Sequence, residues 1–266
     1  MARKKPKCPQ LPCQPPRPCP SVATVFGTLV NAGAIVAAGV AALGRVPDPP
    51  VRLQRRLQAL LGILTLALAF HVVWHGVWAV PGTFARTLGL AMLALVLGRW
   101  TGGWLKLQGR LNRLGQFAGR HLTVTLDQVG PSAWPQVFYA ATVIFCLTPL
   151  AVVGPLLEAL AEDRRALGLK ALVDALATLS LARTRGPGVV LGAVPVLALQ
   201  GTLTLGPAAA RPALVGFHGD QVLCTTGGLL LLPVALVMLQ VLRVRLADYL
   251  PAVIWAPLLA WLFHRP

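Results

Sequence analysis

Apolar residues recur along the chain in long runs that predict membrane helices. A helix that crosses the hydrocarbon core needs about 20 mainly apolar residues, within a range of about 17–25. Runs near this length follow one another after residue 21, at 22–43, 58–80, 84–101, 136–157, 167–183, 188–205, 224–242 and 249–263. The sequence therefore predicts an all-α, polytopic transmembrane helical bundle of about eight spans, with counts of six or seven left open.

The runs differ in strength. The second run contains no Asp, Glu, Lys or Arg and ends in tryptophans, which favour the membrane interface. The fifth contains Lys170 and Asp174, and the eighth is short for a full crossing. These two spans are the ones that a lower count would remove.

A segment of another kind, 104–121, follows the third run. Its leucines and one phenylalanine recur at helical spacing, and Lys106, Arg110, Arg113 and Arg120 occupy most of the remaining surface. Such a basic amphipathic helix is suited to lie on an anionic lipid surface. The alternative is a docking helix for a cytosolic partner.

The first 20 residues contain seven prolines, five basic residues and no acidic residue. Proline fixes φ and removes a backbone donor, so we predict a disordered tail at 1–20 ahead of a single integral membrane domain at 21–266. Cys8, Cys13 and Cys19 lie in this tail at a spacing that matches no zinc pattern. We expect three reduced thiols and no metal site there, although their role stays open.

Composition supports the membrane interpretation. Of 266 residues, 56% are hydrophobic and 12% are charged, which is about half the charged share of a soluble domain. The net charge of +16 would suggest nucleic acid in a soluble protein, but here the basic residues lie between apolar runs, where topology signals belong. We therefore expect no nucleic-acid partner. With eight spans, the loop charges favour both termini outside the cytoplasm.

Polar groups within the apolar runs are costly, so each is a functional candidate. Asp174 is the strongest, and Lys170 lies four residues earlier on the same helical face. An ion pair inside a bundle suits a gate, a proton-coupling site or a cation site. The alternative is a neutralising pair that lets a polar helix insert.

Four further polar residues complete the predicted binding set. Asn31 lies in the first run, and Gln200 and Thr204 follow Pro195 in the sixth. Proline frees helical carbonyls, and broken helices with freed carbonyls coordinate ions in many transporters. The alternative is ordinary packing and hydrogen bonding between helices. Glu158 ends the fourth run, either guarding an entrance or lying in a solvated loop.

Enzyme signatures are absent from the sequence. His71 and His75 share a helical face, but no nearby acid completes a metal site, so an interfacial His–Trp belt is preferred. Nucleophile-elbow, phosphate-loop and dinucleotide motifs do not occur. We predict a protein that is not an enzyme and uses no cofactor or bound metal, while an intramembrane enzyme assembled from separate helices stays open.

Several segments together resemble a known family. They are GTLVNAGAI at 27–35, LQGRLNRLG at 107–115, VGPLLEAL at 153–160, LKALVDA at 169–175, GAVPVLALQGTLTL at 192–205, TTGGLLLL at 225–232 and LPAVIWAPLLAW at 250–261. Their order and spacing resemble the YqgA-like family of bacterial inner-membrane proteins, domain of unknown function 554 (DUF554). The resemblance implies a multi-pass protein of the cytoplasmic (inner) membrane and supplies no substrate, although transport is a common suggestion.

The chain departs from the family pattern where acids are expected, at Gly103 and near Gln108. It keeps the aspartate at Asp174, but Ala175 replaces the glycine that follows. Our leading hypothesis is a secondary transporter or channel-like carrier of a small solute or ion. The missing acids and the basic helix motivate the alternative, a non-transporting assembly or regulatory subunit. Expected partners are the lipid bilayer and a small ion or solute, and a homo-oligomer stays open.

Overall fold

A computed structural model describes residues 25–44, 50–80, 82–124, 134–242 and 244–264. Ten α-helices and two short 3₁₀ segments, and no strand, occur in these residues. The helices are α1 (Phe26–Leu43), α2 (Val51–Trp78), α3 (Phe84–Trp104), α4 (Leu107–Val124), α5 (Trp134–Cys146), α6 (Pro149–Ala161), α7 (Arg165–Arg185), α8 (Ala193–Gly216), α9 (Gly219–Met238) and α10 (Ala252–Leu262). The predicted tail, with Cys8, Cys13 and Cys19, lies outside the described residues.

The all-helical prediction is confirmed, but the count of eight spans is not. Three helical stretches in the described part of the chain are long and apolar enough to cross a membrane: Arg52–Trp78, Pro187–Gly216 and Gly219–Met238. Two bent pairs, α3 with the start of α4 and α5 with α6, raise the number to five if each pair is one span. α1 and α10 are apolar but shorter, and α7 has the length but carries Lys170 and Asp174.

The predicted span at 136–157 consists of two helices. α5 ends at Cys146, α6 begins at Pro149, and the two helices are bent by 56°. Pro149 has no N–H to offer the carbonyl of Phe145 four residues earlier, and its ring is tolerated in the first turn of a helix. Pro195, in contrast, lies in the first turn of α8, where it breaks nothing.

Other helix boundaries also differ from the prediction. α2 begins seven residues early, so Arg52, Arg55 and Arg56 belong to its first turns rather than to a loop. α8 continues to Gly216, beyond the predicted end at 205, and α9 spans Gly219–Met238 rather than 224–242. Helices often extend past the hydrocarbon core, which a hydropathy window alone does not reveal.

The basic amphipathic segment forms a helix of its own, although it begins at Leu107 rather than at 104. A 59° bend separates it from α3, and Lys106 takes up the bend with a φ of 51°. The side chain of Asp248 accepts the Gln108 N–H at 2.9 Å, and Gln108 Oε1 accepts the Ala247 N–H at 3.1 Å. The start of α4 is thereby fixed to the segment that precedes α10.

Close contacts show how neighbouring helices run. Gly76 of α2 lies against Thr225 of α9, and Gly62 lies against Leu239 at the far end of α9, so the two helices are antiparallel. α3 and α10 are also antiparallel, because Gly98 lies against Ala252 at the start of α10 and Arg86 near the start of α3 donates to the Phe263 carbonyl at the end of α10. α1 and α7, in contrast, run parallel, because Gly27 at the start of α1 lies against Leu167 and Gly39 further along α1 lies near Thr178.

Candidate functional site

The six residues predicted from the sequence are all buried, on α1, α6, α7 and α8. Their exposed fractions do not exceed 3%. Five of them, with Thr28 added, form a connected group that we call the polar centre: Thr28, Asn31, Lys170, Asp174, Gln200 and Thr204. Glu158 lies next to it, at the end nearest the α6–α7 turn.

Lys170 and Asp174 form an ion pair in the middle of this group. Lys170 Nζ lies 2.5 Å from Asp174 Oδ2, along the i, i+4 direction of α7. Two opposite charges in a low-dielectric interior are tolerated when they are paired and hydrogen-bonded. The spacing read from the sequence therefore produces a real contact, and α7 can remain in apolar surroundings because of it.

A third group completes the coordination of the ammonium. Lys170 Nζ donates a hydrogen bond to the backbone carbonyl of Phe145 at 3.1 Å. This carbonyl lies four residues before Pro149 at the α5–α6 break, and Pro149 has no N–H to donate to it. It accepts instead from Lys170 of α7 and, at 3.4 Å, from the Thr148 hydroxyl in the break.

The amide side chains of α1 and α8 meet beside the ion pair. Asn31 Nδ2 donates to Gln200 Oε1 at 3.0 Å, and Asn31 also interacts with the carboxylate of Asp174. These residues are far apart in sequence, so the contact depends on how the helices pack. Asn31 Oδ1 and Gln200 Nε2 are buried and have no hydrogen-bond partner among the described residues.

Two hydroxyl groups extend the polar centre toward the start of α1. Thr28 Oγ1 and Thr204 Oγ1 are 3.3 Å apart. Thr204 Oγ1 also donates to the Gln200 carbonyl at 2.8 Å, within its own helix. The hydroxyl pair joins the amide pair to the N-terminus of α1.

Glu158 accepts hydrogen bonds at that N-terminus. Its Oε1 accepts the Gly27 N–H at 2.6 Å and lies 3.8 Å from Nε of Arg164, whose side chain is half exposed. Free N–H groups and the helix dipole both favour a carboxylate there. Glu158 therefore does not lie in a solvated loop, and its Oε2 is buried without a partner in the part of the chain that the structure describes.

A cavity of about 640 Å³ opens beside this end of the molecule. We call it the vestibule. Its lining includes His71 and His75 of α2, residues 162–165 of the α6–α7 turn, and Asp220. Arg164 both lines the vestibule and pairs with Glu158, so the cavity and the polar centre are joined through these two side chains.

The two histidines lie together without completing a metal site. Their ring centroids are 4.4 Å apart. Among the described residues, no three His, Cys, Asp or Glu side chains are grouped in a way that could hold a metal ion. The lining of the vestibule carries charges of both signs, with Asp163 and Asp220 beside Arg164 and Arg165.

Sequence reasoning missed three parts of this arrangement. A backbone carbonyl such as that of Phe145 cannot be recognised from residue type, and the proline four residues later, Pro149, is the one sign of it in the sequence. Thr28 shares a helical face with Asn31, yet nothing local showed that it would meet α8. Arg164 appeared only as a loop charge, although it contacts Glu158 and lies over the ring of Phe26.

The profile of the family described as "Protein of unknown function (DUF554)" matches residues 26–261. The chain belongs to this family. It is 23% identical over 245 residues to "Uncharacterized membrane protein YdfK" of Bacillus subtilis (strain 168), which covers 90% of this chain and 97% of that protein. No solved structure matches the chain.

The positions where the family resemblance led us to expect acids lie outside the polar centre. Gly103 is exposed at the end of α3, and Gln108 starts α4 and binds the segment before α10. α3 packs mainly against α9 and α10, not against the helices of the polar centre. The chain therefore lacks acids at these two positions, both of which lie away from the polar centre.

Proposed function

We propose that this DUF554 member is a secondary transporter or channel-like carrier of a small solute or ion, and that the polar centre is its binding site. Asp174 binds or couples the solute and Lys170 is its charge partner. Asn31, Gln200 and Thr204 contribute polar ligands, and Glu158 with Arg164 guards the entrance from the vestibule. The single observation that carries the proposal is the convergence of these side chains from α1, α7 and α8 on a broken helix.

The energetic argument favours a function over a purely structural role. Ionisable groups inside a membrane bundle are expensive, and a buried ion pair adds little stability compared with apolar side chains of the same volume. A helix broken at Pro149, with a freed carbonyl turned to the ion pair, is the arrangement from which transporters build ion sites. A bundle that only had to be stable would need neither the buried ion pair nor the helix break.

We also propose eight crossings in the cytoplasmic (inner) membrane. The helix directions support alternation of α1, α2, α3, the α5–α6 pair, α7, α8, α9 and α10, with α4 along one surface. The ends that meet on the side of α4 carry most of the described arginines, including those at the start of α2 and the end of α7. The positive-inside rule places that side in the cytoplasm and the vestibule outside.

One feature favours the rival role of a non-transporting assembly or regulatory subunit. α4 carries basic residues on an exposed face on the proposed cytoplasmic side, where a partner or a lipid surface could bind. The rival role needs no solute to reach Asp174. Flux measurements therefore separate the two functions.

The test is reconstitution of the purified protein in liposomes, with the flux of alkali cations, protons and small organic solutes measured for the wild type and Asp174→Asn. Asp248→Asn is the matched control, because Asp248 is also buried but lies beside α4, away from the polar centre. We expect flux for at least one solute, its loss in Asp174→Asn and its retention in Asp248→Asn. No flux from the wild type would support the rival, and flux that is equal in both variants would contradict the polar centre as the binding site.

A further inference from the structure

The surroundings of Lys170 are those of a cation site. Its Nζ lies 2.5 Å from a carboxylate oxygen and 3.1 Å from the Phe145 carbonyl, which the break at Pro149 frees from a helical N–H and which otherwise accepts from the Thr148 hydroxyl at 3.4 Å. The buried Asn31 amide lies against the same carboxylate, and its Oδ1 has no partner in the described segments. Carboxylate, freed carbonyl and amide oxygens are the ligands with which broken transporter helices hold small cations.

We propose that the transported ion is a small monovalent cation and that it binds in exchange for the proton of Lys170, whose ammonium occupies the cation position when the cation is absent. This inference rests on the proposed function. In the state described here, the ammonium occupies the cation position. When the cation enters, Lys170 gives one proton to water and becomes a neutral amine, while the cation takes over Asp174 Oδ2 and the Phe145 carbonyl. One positive charge leaves and one arrives.

Charge balance selects both the valence and the stoichiometry. The polar centre holds one carboxylate and one ammonium, so its net charge is zero with Lys170 protonated. A monovalent cation beside a neutral amine keeps it at zero. A divalent cation, or a cation beside a protonated lysine, would leave an uncompensated positive charge in a low-dielectric site, which is strongly disfavoured. One proton must therefore leave for each monovalent cation.

Few other groups can supply or accept that proton. Within the described part of the chain, the titratable groups that interact with Lys170 are its partner Asp174 and the Cys146 thiol at the end of α5. α1 and α8 contribute neutral side chains to the polar centre, and Glu158 of α6 is engaged at the N-terminus of α1. α2 brings His71 to the opposite face of α7, beside Leu169. Lys170 is thus the group on which the exchange depends.

The experiment counts protons. Purified wild-type protein in weakly buffered detergent solution with a pH indicator receives LiCl, NaCl or KCl, and N-methyl-D-glucamine chloride serves as the large-cation control. We expect release of about one proton per chain for at least one alkali cation and none for the control salt. The apparent affinity, followed as thermal stabilisation by the cation, should rise about tenfold per pH unit while Lys170 holds its proton.

Lys170→Arg is the decisive variant, because a guanidinium keeps the positive charge and does not deprotonate in proteins. We expect it to abolish both proton release and stabilisation by the cation. Lys106→Arg is the matched control, since Lys106 is an exposed lysine at the α3–α4 bend, and it should behave as the wild type. If Lys170→Arg does not fold, the number of protons released by the wild type and the pH dependence of its cation affinity still test the exchange.

The outcomes separate the two proposals. Absence of proton release from the wild type with all three alkali salts, or release that persists in Lys170→Arg, would overturn the exchange. Solute flux that depends on Asp174 without proton release would overturn the exchange alone and leave the carrier proposal standing. Proton release without any flux in liposomes would support the cation site and contradict transport.

Discussion

Helices pack against one another in different ways on two sides of the molecule. On one side, α1, α7 and α8 meet through the polar centre, where side chains bond from helix to helix. On the other, α2, α3, α9 and α10 meet through glycines, and we call this the glycine-packed side. The Thr65 and Thr226 hydroxyls there donate to carbonyls of their own helices, at 2.7 Å in each case.

The difference distinguishes packing from chemistry. Small residues let membrane helices approach closely, and a hydroxyl bonded to its own helix costs little. The glycine-packed side therefore has what a stable bundle needs. The polar centre has more than that: an ion pair, a backbone carbonyl turned to its ammonium, and two buried amide atoms, Asn31 Oδ1 and Gln200 Nε2, that find no partner among the residues the structure describes. Buried polar groups beyond those that packing requires are typical of a binding site.

The largest effect should come from removing one charge of the pair. Lys170→Met leaves Asp174 buried without its partner, which costs about 3–5 kcal/mol for a buried pair. The double variant Lys170→Met/Asp174→Leu removes both charges and should recover most of that loss. Unfolding in mixed micelles, titrated with a denaturing detergent, measures both. Costs that simply add in the double variant would mean that the pair is not coupled.

The pair itself was within reach of sequence reasoning, because i, i+4 spacing on one helix needs no tertiary information. The contact of Asn31 with Gln200 was not, since 169 positions separate them and only packing brings α1 to α8. Polarity could nominate these residues, but it could not say that they touch.

Prolines show the same limit. Pro149, Pro195 and Pro233 look alike in an apolar run, yet the first lies at a helix break, the second in a first turn and the third inside a continuous helix. Where a helix begins decides whether a proline frees a carbonyl, and that start is set by tertiary contacts. Hydropathy likewise predicted apolar helices well and their ends poorly.

The next effect tests the glycine-packed side. A Cβ at Gly98 would come within 2.6 Å of the Ala252 backbone nitrogen, so Gly98→Ala must push α3 and α10 apart. Overpacking of this kind costs about 1–3 kcal/mol. Gly89→Ala, on the same helix, meets nothing within 4 Å and should be neutral or slightly stabilising. Thermal denaturation of the two variants measures the difference, and equal midpoints would contradict the close approach of α3 to α10.

A smaller effect compares bonds between helices with bonds within one. Asn31→Ala removes the contact with Gln200 and should cost about 1–2 kcal/mol, whereas Thr226→Val removes a hydroxyl bonded to its own helix and should cost less than about 0.6 kcal/mol. The proposed function adds that only Asn31→Ala impairs flux in liposomes. Equal impairment of flux by Thr226→Val would contradict the special role of the polar centre.

The smallest effect is expected from an ion pair that is exposed to solvent on the protein surface. Arg211 Nη1 lies 2.9 Å from Glu162 Oε1, and both side chains are nearly half exposed. Exposed ion pairs contribute about 0–1 kcal/mol and are screened by salt, so Arg211→Ala should lower stability slightly at low ionic strength and not at all near 1 M salt. With N-methyl-D-glucamine chloride as the salt in both measurements, the cost of Lys170→Met should be the same at both salt concentrations, because this large cation does not reach the buried pair. Denaturation curves of the two variants at low and high salt check this. An equal salt response would place Lys170 and Asp174 in contact with water and remove the physical distinction between the polar centre and the surface.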